Sequence, residues 1–464
     1  MPRNTTDLAV VILAAGLGTR MKSDRPKVLH ALAGRSMIGH VVAAIAPLKP
    51  ARVVLVIGPE PVMADVERAA RAVAPALNFS TVVQHERLGT GHAVKQTKAA
   101  LAGHRGDVVV LFGDTPLVTT ETLRRLIQAR RRAKHAVVAA GFKPADRKLF
   151  ARLLLDDRGR LDRIVEARDA SEEEKKIELC NAGLVAIDGA LLFDLLGRLR
   201  NENAKKEFYL FDIVRLAGQR DRVCGHVVID TDDAFGIDSR AALAEAELML
   251  QKRLRDAAMA NGATLVAPDT VFFSFDTRLG RDVVVGPHVV FGRDVRIGDG
   301  VEIRSFCHLE GCTVETGATI GPFARLRPGA AIARDAHIGN FVEIKSASIE
   351  RGAKVNHLSY IGDARVGAKA NVGAGTITCN YDGFEKFHSD IGEGAFIGSN
   401  SALVAPVKIG AGANVGAGSV VTKDVPADAL VVARGEQRVI DGWAGRYRAR
   451  RAAEKTAKQA KKRG

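Results

Sequence analysis

The sequence predicts two folds in series, an α/β domain with a mostly parallel sheet and then a left-handed parallel β-helix. In the first half, short apolar runs rich in β-branched residues alternate with helical patterns, which is typical of a sheet covered by helices on both faces. In the second half, an aliphatic residue or Phe recurs every six positions from Leu279 onward. The length of 464 residues also exceeds what one ordinary hydrophobic core holds.

Five strands and four helices are predicted in the first half, in a Rossmann-like arrangement. The strands are Leu8–Leu13, Val53–Ile57, Thr81–Val83, Val108–Phe112 and Val137–Ala140, and the helices are Ile38–Ala46, Ala64–Ala74, Ala93–Leu101 and Glu121–Ala133. Ligands of such sheets bind at the carboxyl ends of the strands. The loops after the first and fourth strands are therefore the candidate binding segments.

A helical pattern over Ser239–Asn261, stopped by Gly262, connects the two halves. Beyond it the six-residue period runs to Val421, with three one-residue slips and one interruption between Val372 and Ile391. Three hexads form one triangular turn whose aliphatic residues point inward. We therefore expect domains at 1–238 and 262–445, a linker helix at 239–261 and a basic tail at 446–464.

Composition excludes several classes of protein. The five cysteines form no CxxC pair, which predicts buried, reduced thiols rather than a disulfide framework or a zinc site. The N-terminal apolar run Leu8–Ala15 has no charged leader and is too short to span a bilayer, so the sequence favours the cytoplasm and no membrane partner.

The formal net charge of +15 is concentrated at the C-terminus. Residues 446–464 contain nine lysines or arginines and one glutamate, and no aromatic residue follows Tyr447. Such a tail can contact RNA, but it is more often a solvated, frayed end. We favour the solvated end and expect no nucleic-acid partner.

The loop after the first strand carries a phosphate-binding pattern. It reads from Leu13 to Met21 as LAAGLGTRM and continues at residues 25–29 as RPKVL. Glycines at 16 and 18 allow a nucleotide to approach the backbone amides, and Arg20 and Lys27 can neutralise a triphosphate. A bare glycine-rich loop is weak evidence, whereas the complete string is much more specific.

This string resembles the sugar-1-phosphate nucleotidyltransferases. Asp114, which follows the fourth strand in FGD, would alone be read as a helix or turn cap, but it resembles the family's magnesium ligand. The resemblance implies binding of nucleotide and sugar by Leu13, Ala14, Ala15, Gly16, Arg20, Lys27, Gln84, Gly89, Thr90, Phe112, Gly113, Asp114, Ala151, Glu166, Asn181 and Asp238, with Mg²⁺ held by Asp114 and Asp238.

Three of these positions depart from the family pattern. Asp238 stands where the family usually has Asn, Ala151 aligns with a sugar-facing glycine, and Phe112 replaces a tyrosine. Aspartate binds magnesium at least as well as asparagine, although it adds negative charge beside a triphosphate. We interpret the three changes as variation within a working site.

The second half contains a histidine where a β-helix needs none. His357, in the string VNHLSY, suits a general base for an amine that attacks a thioester. A lone histidine on a repeat protein is more often plain surface, but the surrounding string resembles an acetyltransferase site. That resemblance implies phosphate binding by Arg327 and Lys345, sugar binding by Tyr360 and Asn371, and acetyl-CoA binding by Ala374, Asn380, Tyr381, Ser399, Ala417 and Arg434.

Two further residues of this region are interpreted from the sequence. Glu343 is expected to orient His357. Cys379 could suggest a nucleophile, but we expect a packed thiol, because the resemblance implies direct attack by the amine on the thioester.

Taken together, nearly the whole chain resembles the bifunctional N-acetylglucosamine-1-phosphate uridyltransferase/glucosamine-1-phosphate N-acetyltransferase family. The resemblance implies an enzyme that acetylates glucosamine 1-phosphate with acetyl-CoA and then transfers uridylyl from UTP to N-acetylglucosamine 1-phosphate. It also implies a homotrimer whose cofactor lies between neighbouring prisms. The product would be UDP-N-acetylglucosamine for peptidoglycan and lipopolysaccharide.

Two other functions compete with this one. A guanylyl- or thymidylyl-transferase with a chemically inert β-helix would not need His357, Tyr360 or the Asn380–Tyr381 loop. A scaffold subunit whose tail binds RNA would tolerate loss of the phosphate and metal residues. All of these residues are present, so the sequence favours the two-activity enzyme.

Overall fold

The computed structural model describes residues 7–147 and 150–460. The chain consists of two units: the first contains the residues up to 278 together with 290–295, and the second contains 279–289 and the residues from 296 onward. Each unit has a regular architecture of its own.

The first unit contains a nine-stranded, mostly parallel sheet, as predicted. Its path is β11–β7–β10–β6–β1–β4–β5, and the β8–β9 hairpin joins it at β10. Only β10 runs antiparallel to its neighbours on the path, β6 and β7. The strands of this unit are β1 Leu8–Leu13, β2 Ala31–Leu32, β3 Arg35–Ser36, β4 Arg52–Ile57, β5 Phe79–Val83, β6 Asp107–Phe112, β7 Val137–Phe142, β8 Arg152–Leu155, β9 Leu161–Val165, β10 Cys180–Asp188, β11 Cys224–Val228 and β12 Thr264–Leu265.

Helices cover both faces of this sheet. The helices of the first unit are α1 Met37–Ile45, α2 Ala64–Val73, α3 Thr90–Lys95, α4 Thr120–Ala133, α5 Glu172–Lys175, α6 Gly189–Gly197, α7 Ile213–Gly218 and α8 Arg240–Ala260. Residues of β1 alternate between two apolar clusters: Val10 and Ile12 belong to one, and Val11 belongs to the other. Each fully buried side chain of this kind stabilises the fold by about 1.5–3 kcal/mol.

Most predicted elements of the first unit are confirmed to within two residues. Ser239 caps α8 by accepting a hydrogen bond from the Ala242 amide, so the predicted helix start is confirmed. The predicted helix Ala93–Leu101 differs, because α3 begins directly after Gly89, whose φ is +106°, and ends at Lys95 in a 3-10 turn.

The second unit is a left-handed parallel β-helix in which each coil contributes one short strand to each of three sheets. The strands from residue 278 onward, of which β15 and Arg278 of β13 fall within the residue ranges of the first unit, are β13 Arg278–Leu279, β14 Val284–Val285, β15 Val290–Phe291, β16 Arg296–Ile297, β17 Glu302–Ile303, β18 His308–Leu309, β19 Thr313–Val314, β20 Thr319–Ile320, β21 Arg325–Leu326, β22 Ala331–Ile332, β23 His337–Asn340, β24 Glu343–Lys345, β25 Ser348–Ile349, β26 Lys354–His357, β27 Tyr360–Gly362, β28 Ala364–Val366, β29 Asn371–Val372, β30 Ile377–Cys379, β31 Ser389–Ile391, β32 Phe396–Ile397, β33 Ala402–Val404, β34 Val407–Ile409, β35 Asn414–Val415, β36 Val420–Val421 and β37 Leu430–Val431.

The hexad residues stack inside the prism in strict register. In one of the three sheets, successive coils pair Ile303 with Ile320, Ile320 with Ile338, Ile338 with Val355, and Val355 with Val372. Every aliphatic or Phe residue of the predicted series is buried except Leu279, which is half-buried. The periodicity therefore identified the inward positions correctly.

Thr378 fills the inward position at which the apolar period is interrupted. It lies in β30 and is only 1% exposed. Its hydroxyl accepts a hydrogen bond from the Gly362 amide at 2.8 Å. The same hydroxyl donates a hydrogen bond to the Gly362 carbonyl oxygen at 3.0 Å. A polar residue is tolerated inside the prism because its hydroxyl satisfies the backbone of the preceding coil.

All five cysteines are free thiols, as predicted. Burial raises the pKa of Cys224 and of Cys312 to about 12 and that of Cys307 to about 11. These thiols are therefore protonated at neutral pH and behave as packing groups. No helix within residues 7–147 and 150–460 is long and apolar enough to cross a membrane.

The basic tail is solvated but not frayed in the part that the structure describes. Helix α9 spans Trp443–Ala460, and its side chains are exposed as far as Lys458. The expectation of a frayed end is wrong because alanine, arginine and lysine, which dominate this segment, are strong helix formers.

Replacing Thr378 by valine is expected to destabilise the β-helix by about 1–3 kcal/mol, because the buried Gly362 amide loses its partner. Chemical denaturation followed by circular dichroism measures the change. The control is Thr313→Val, on an exposed strand position of β19, which is expected to stay within about 0.5 kcal/mol of the parent. Equal effects of the two variants would contradict a special role for the Thr378 hydroxyl.

Candidate active sites

A cleft of about 260 Å³ opens in the first unit at the carboxyl ends of β1 and β6. Ten residues predicted from the sequence line it: Leu13, Ala14, Ala15, Gly16, Lys27, Gln84, Gly89, Thr90, Phe112 and Asp114. They come from four separate loops or strand ends, which a parallel sheet collects at one edge. Of the predicted set, Arg20, Gly113, Ala151, Glu166, Asn181 and Asp238 are not among the residues that line this cleft.

Gly18 of the phosphate loop allows the two parts of the motif to pack closely, whereas a Cβ at Gly16 would meet nothing within 4 Å. Gly18 has a φ of +63°, and a side-chain Cβ there would lie 2.6 Å from the Cβ of Lys27. The two halves of the motif, GLGTRM and RPKVL, are therefore packed directly against each other. A residue other than glycine at position 18 would push Lys27 away from the cleft.

Two cations of the motif are paired with the two candidate metal ligands. The Lys27 ammonium forms an ion pair with Asp114, and Arg20 forms one with Asp238 at 2.5 Å. The Ile237 amide donates to the Asp114 carbonyl oxygen at 2.9 Å, so the two carboxylate residues lie on adjoining backbone segments. Two carboxylates suit Mg²⁺, which takes its other ligands from water and substrate phosphates.

The described residues contain no cluster of three or more acidic, histidine or cysteine side chains that could hold a metal by itself.

The sugar-side residues lie beyond the cleft. The backbone amide of Asn181 donates a hydrogen bond to the Ala151 carbonyl oxygen at 2.8 Å, which brings these two predicted residues together. Ala151 is only 6% exposed and belongs to an apolar core cluster, so its methyl group packs inward. Gly113 packs against Val28, Ala14 and Ile38, where a Cβ would be 3.2–3.3 Å from their side chains.

Glu166 lies in a region of concentrated negative charge. Burial raises the pKa of its carboxyl group, Lys205 opposes the shift, and Asp169, Asp212 and Glu207 reinforce it. The ionised form of Glu166 is therefore less favoured here than in water, and a ligand that supplies hydrogen-bond donors would offset part of that cost.

Arg87 is a cleft residue that sequence reasoning missed. Its Nε donates to the Ala15 carbonyl oxygen at 2.9 Å, and one of its terminal nitrogens bonds Glu60 at 2.5 Å. It thus connects the loops that follow β1, β4 and β5. Its place between the predicted residues Gln84 and Gly89 was a signal that could have identified it.

In the second unit, strand register brings His357 next to Asn340. The two residues end β26 and β23, which pair in parallel, and they are register partners. The Nδ1 atom of His357 lies 2.6 Å from Oδ1 of Asn340, and the ring is exposed to solvent. The expectation that Glu343 orients His357 is wrong, because Glu343 bonds Arg327 at 2.7 Å and pairs with Arg325.

The predicted phosphate-binding residues stack on one face of the prism. Leu326 pairs with Ile344, so Arg327 and Lys345 follow at the same level on adjacent coils. Lys345 in turn pairs with Gly362 on the next coil. A Cβ at Gly362 would lie 2.4 Å from the Tyr360 hydroxyl and 2.9 Å from Asn380 Nδ2, so glycine leaves space for these two predicted residues.

Lys386 is a second cation of this region that the sequence analysis did not single out. It lies in the loop after Cys379, and its pKa is lowered by its contact with Lys345. Lys345 is also 3.7 Å from Asp363, which bonds Asn380. Asp363 pairs with Lys345 and Glu343 pairs with Arg327, so the three cations Arg327, Lys345 and Lys386 outnumber these two carboxylates.

Four of the six residues predicted to bind acetyl-CoA, Ala374, Ser399, Ala417 and Arg434, follow one another along one corner of the prism from His357. The His357 carbonyl oxygen accepts from the Gly375 amide at 3.2 Å, and the Ala374 carbonyl oxygen accepts from Asn400 at 2.7 Å. One coil further, the Ser399 carbonyl oxygen accepts a hydrogen bond from the Gly418 amide at 2.8 Å. Arg434 then donates to the Ala417 carbonyl oxygen at 2.8 Å.

The same corner changes character at the coil of His357. Before it, Phe306, Phe323 and Phe341 stack with centroids 4.9 and 5.1 Å apart. After it, the corner positions are Gly375, Asn400 and Gly418, all at positive φ. The corner is thus bulky before His357 and open after it. Of two other predicted residues, Asn371 is half-buried on β29, and Tyr381 is exposed in the loop after β30.

The comparisons with known proteins agree with this division. Residues 10–178 match the family described as MobA-like NTP transferase domain, and residues 276–311 and 388–423 match Bacterial transferase hexapeptide (six repeats). The chain is 57% identical to Bifunctional protein GlmU of Paramagnetospirillum magneticum, over 98% of this chain and 99% of that protein. It is 59% identical to that of Rhodospirillum rubrum (96% and 98%) and 51% identical to that of Zymomonas mobilis (96% and 98%).

This chain belongs to the bifunctional GlmU family. It is an enzyme with uridyltransferase and acetyltransferase activities, as the resemblance implied. The two activities correspond to the nucleotidyltransferase match in the first unit and to the two hexapeptide matches, residues 276–311 and 388–423, which lie mostly in the second.

Glu166→Gln is expected to stabilise the protein at about pH 8 but not at about pH 4. Because the pKa of Glu166 is raised in the folded protein, its neutral carboxyl group is favoured by the fold. The stability that this neutral form contributes is lost as the pH rises through the folded-state pKa. Thermal unfolding at a series of pH values measures the difference. Glu245→Gln, at an exposed position of α8, is the control, and a pH-independent gain for Glu166→Gln would contradict the interpretation.

Proposed function

We propose that the first unit transfers uridylyl from UTP to N-acetylglucosamine 1-phosphate, and that the second acetylates glucosamine 1-phosphate with acetyl-CoA. The observation that supports the first assignment is the pairing of Lys27 with Asp114 at the edge of the cleft. The observation that supports the second is the alignment of His357 with Arg434 along one corner. The product would be UDP-N-acetylglucosamine, a precursor for the cell wall.

Uridylyl transfer requires no protein nucleophile. The phosphate oxygen of the sugar attacks the α-phosphorus of UTP, a new P–O bond forms, and the bond to pyrophosphate breaks. We assign Lys27 and Arg20 to neutralising the charge of the triphosphate and of the departing pyrophosphate. Each cation is already held by a carboxylate, so it is oriented before the substrate arrives.

Asp114 and Asp238 would hold the magnesium ion of this reaction. When bound, the ion would neutralise charge on the phosphates and help to orient them. Asp238 adds one negative charge relative to the asparagine that the family usually has, and Arg20 is the side chain that offsets it. We therefore infer that Arg20 and Asp238 function as a pair in this chain.

For acetyl transfer, we assign the role of general base to His357. The amine nitrogen of glucosamine 1-phosphate attacks the thioester carbonyl carbon, a C–N bond forms, the C–S bond breaks, and the nitrogen's proton moves to the imidazole. Arg327 and Lys345 suit the substrate phosphate because they present two cations at one level of the prism. Tyr360 and Asn371 are proposed sugar contacts.

The open corner supports the proposed cofactor position. Four coils separate His357 from Arg434, which corresponds to roughly 19 Å at about 4.8 Å per coil. An extended pantetheine arm would follow Ala374, Ser399 and Ala417 and bring the cofactor phosphates toward Arg434. Asn380 and Tyr381, in the neighbouring loop, are proposed to complete this site.

We further propose a homotrimer that acts in the cytoplasm, where UTP and acetyl-CoA are available. On the corner from Ala374 to Arg434, Ala374 is half-buried and Ser399, Ala417 and Arg434 are exposed, so we infer that one prism supplies one wall for the cofactor. The loop after Cys379 carries Phe384 at 92% exposure, which a neighbouring prism could cover. Hexapeptide prisms related by a threefold axis would provide the second wall.

Crossed variants test both assignments. Lys27→Ala is expected to lower pyrophosphate release from UTP and N-acetylglucosamine 1-phosphate by about 100-fold or more and to leave acetyl transfer unchanged. His357→Ala is expected to do the reverse. Other nucleoside triphosphates serve as controls for UTP selectivity. A parent protein that releases no pyrophosphate in the presence of UTP would contradict the uridyltransferase assignment. A His357→Ala variant with full acetyl transfer would contradict the assignment of His357.

Removal of magnesium is expected to separate the two activities. Excess EDTA should abolish uridylyl transfer, because two carboxylates and the substrate phosphates form the proposed ion site. Acetyl transfer should persist, since its proposed residues include no ion ligand. Inhibition of both activities to the same extent would argue against an ion site confined to Asp114 and Asp238.

A further inference from the structure

The pairing of Asn340 with His357 follows directly from the repeat. Strands β23 and β26 have four residues each, whereas most strands of the solenoid have two or three, and their last residues are Asn340 and His357. The Leu358 amide donates to the Asn340 carbonyl oxygen at 3.0 Å. Backbone hydrogen bonds therefore fix both residues at the same level of adjacent coils.

The chemistry of the pair determines the tautomer of the imidazole. An amide Oδ1 is an acceptor, so Nδ1 of His357 must carry the hydrogen in their 2.6 Å contact. In the neutral ring, Nε2 then has the free lone pair. That is the arrangement a base needs if it is to take a proton at Nε2.

A neutral partner has a second consequence. A carboxylate beside Nδ1 would favour the protonated imidazolium, which cannot act as a base, whereas an amide adds no charge. The carboxylate expected from the sequence, Glu343, is occupied by Arg327 and Arg325. His337 and Arg304 line the same cavity as Asn340 and His357, and the charged groups Lys354 and Glu302 act on His337.

We propose that Asn340 is a positioning residue for acetyl transfer: it holds the Nδ1–H of His357 so that Nε2 accepts the proton released by the attacking amine. The proposal rests on the assignment of His357 as the base. It explains why this coil ends its long strand with a polar residue beside the solvent-exposed ring. Asn340 itself exchanges no proton and contacts the reaction only through His357.

Two substitutions at position 340 test the proposal. Asn340→Leu keeps the size of the side chain but removes the acceptor. It is expected to lower kcat for acetyl transfer by about 10- to 100-fold, with KM values within about twofold of the parent. Asn340→Asp keeps the acceptor and adds charge, and it is expected to move the acid limb of the kcat/KM–pH profile upward by about one unit or more.

Internal and matched controls accompany these variants. Uridylyl transfer by the same preparations should be unchanged, because it takes place in the first unit. Asn414→Leu and Asn414→Asp alter an exposed asparagine of β35, in the same sheet as β23 and β26, and should leave both activities unchanged. His357→Ala tests the base assignment separately.

The outcomes distinguish this proposal from the one on which it rests. If His357→Ala is inactive but neither Asn340 variant changes kcat or the acid limb, the positioning role alone is overturned. A fall in kcat for Asn340→Leu without an upward movement of the acid limb in Asn340→Asp also overturns it, since a merely structural asparagine gives that result. Asn340→Asp retains the side-chain shape and decides the question even if Asn340→Leu fails to fold.

Discussion

The burial of one aliphatic side chain per hexad is the constraint on which the second unit depends. It fixes each coil against the next, at about 4.8 Å spacing, so residues at equal positions on neighbouring coils must lie side by side. The pairs His357–Asn340 and Arg327–Lys345 and the corner from Ala374 to Arg434 all follow from this register. The proposed acetyltransferase site therefore lies largely on the regular outer surface of the prism. The Asn380–Tyr381 segment is its main loop contribution.

The nucleotide cleft uses a different principle. A parallel sheet collects loops at one edge, and the loops carry cations that are already paired with carboxylates. These pairs orient Lys27 and Arg20, and in the proposed uridylyl transfer a triphosphate with magnesium would replace one set of charge partners by another. The Asp238 substitution fits this principle, because Arg20 supplies the compensating positive charge. The cleft is thus organised around exchange of ionic partners.

Sequence reasoning succeeded where one local pattern has only one physical solution. The hexads identified the inward residues, Ser239 marked the start of α8, and the LAAGLGTRM string identified the segments that line the cleft. It failed where two side chains distant in sequence compete for a partner. Glu343 was a reasonable orienting group for His357, but the stacking of coils places Arg327 and Arg325 on it and leaves Asn340 for the imidazole.

By itself, the sequence determined the two-part architecture, the family and the segments in which chemistry takes place, because periodicity and motif spacing are local properties of the chain. Only the tertiary structure decided which groups meet. It buried the methyl of Ala151 in the core, placed Thr378 inside the prism as the hydrogen-bond partner of Gly362, added Arg87 to the cleft and set Asn340 beside His357. Such contacts depend on the register between strands and on competition between charges, and neither of these can be read from any single stretch of residues.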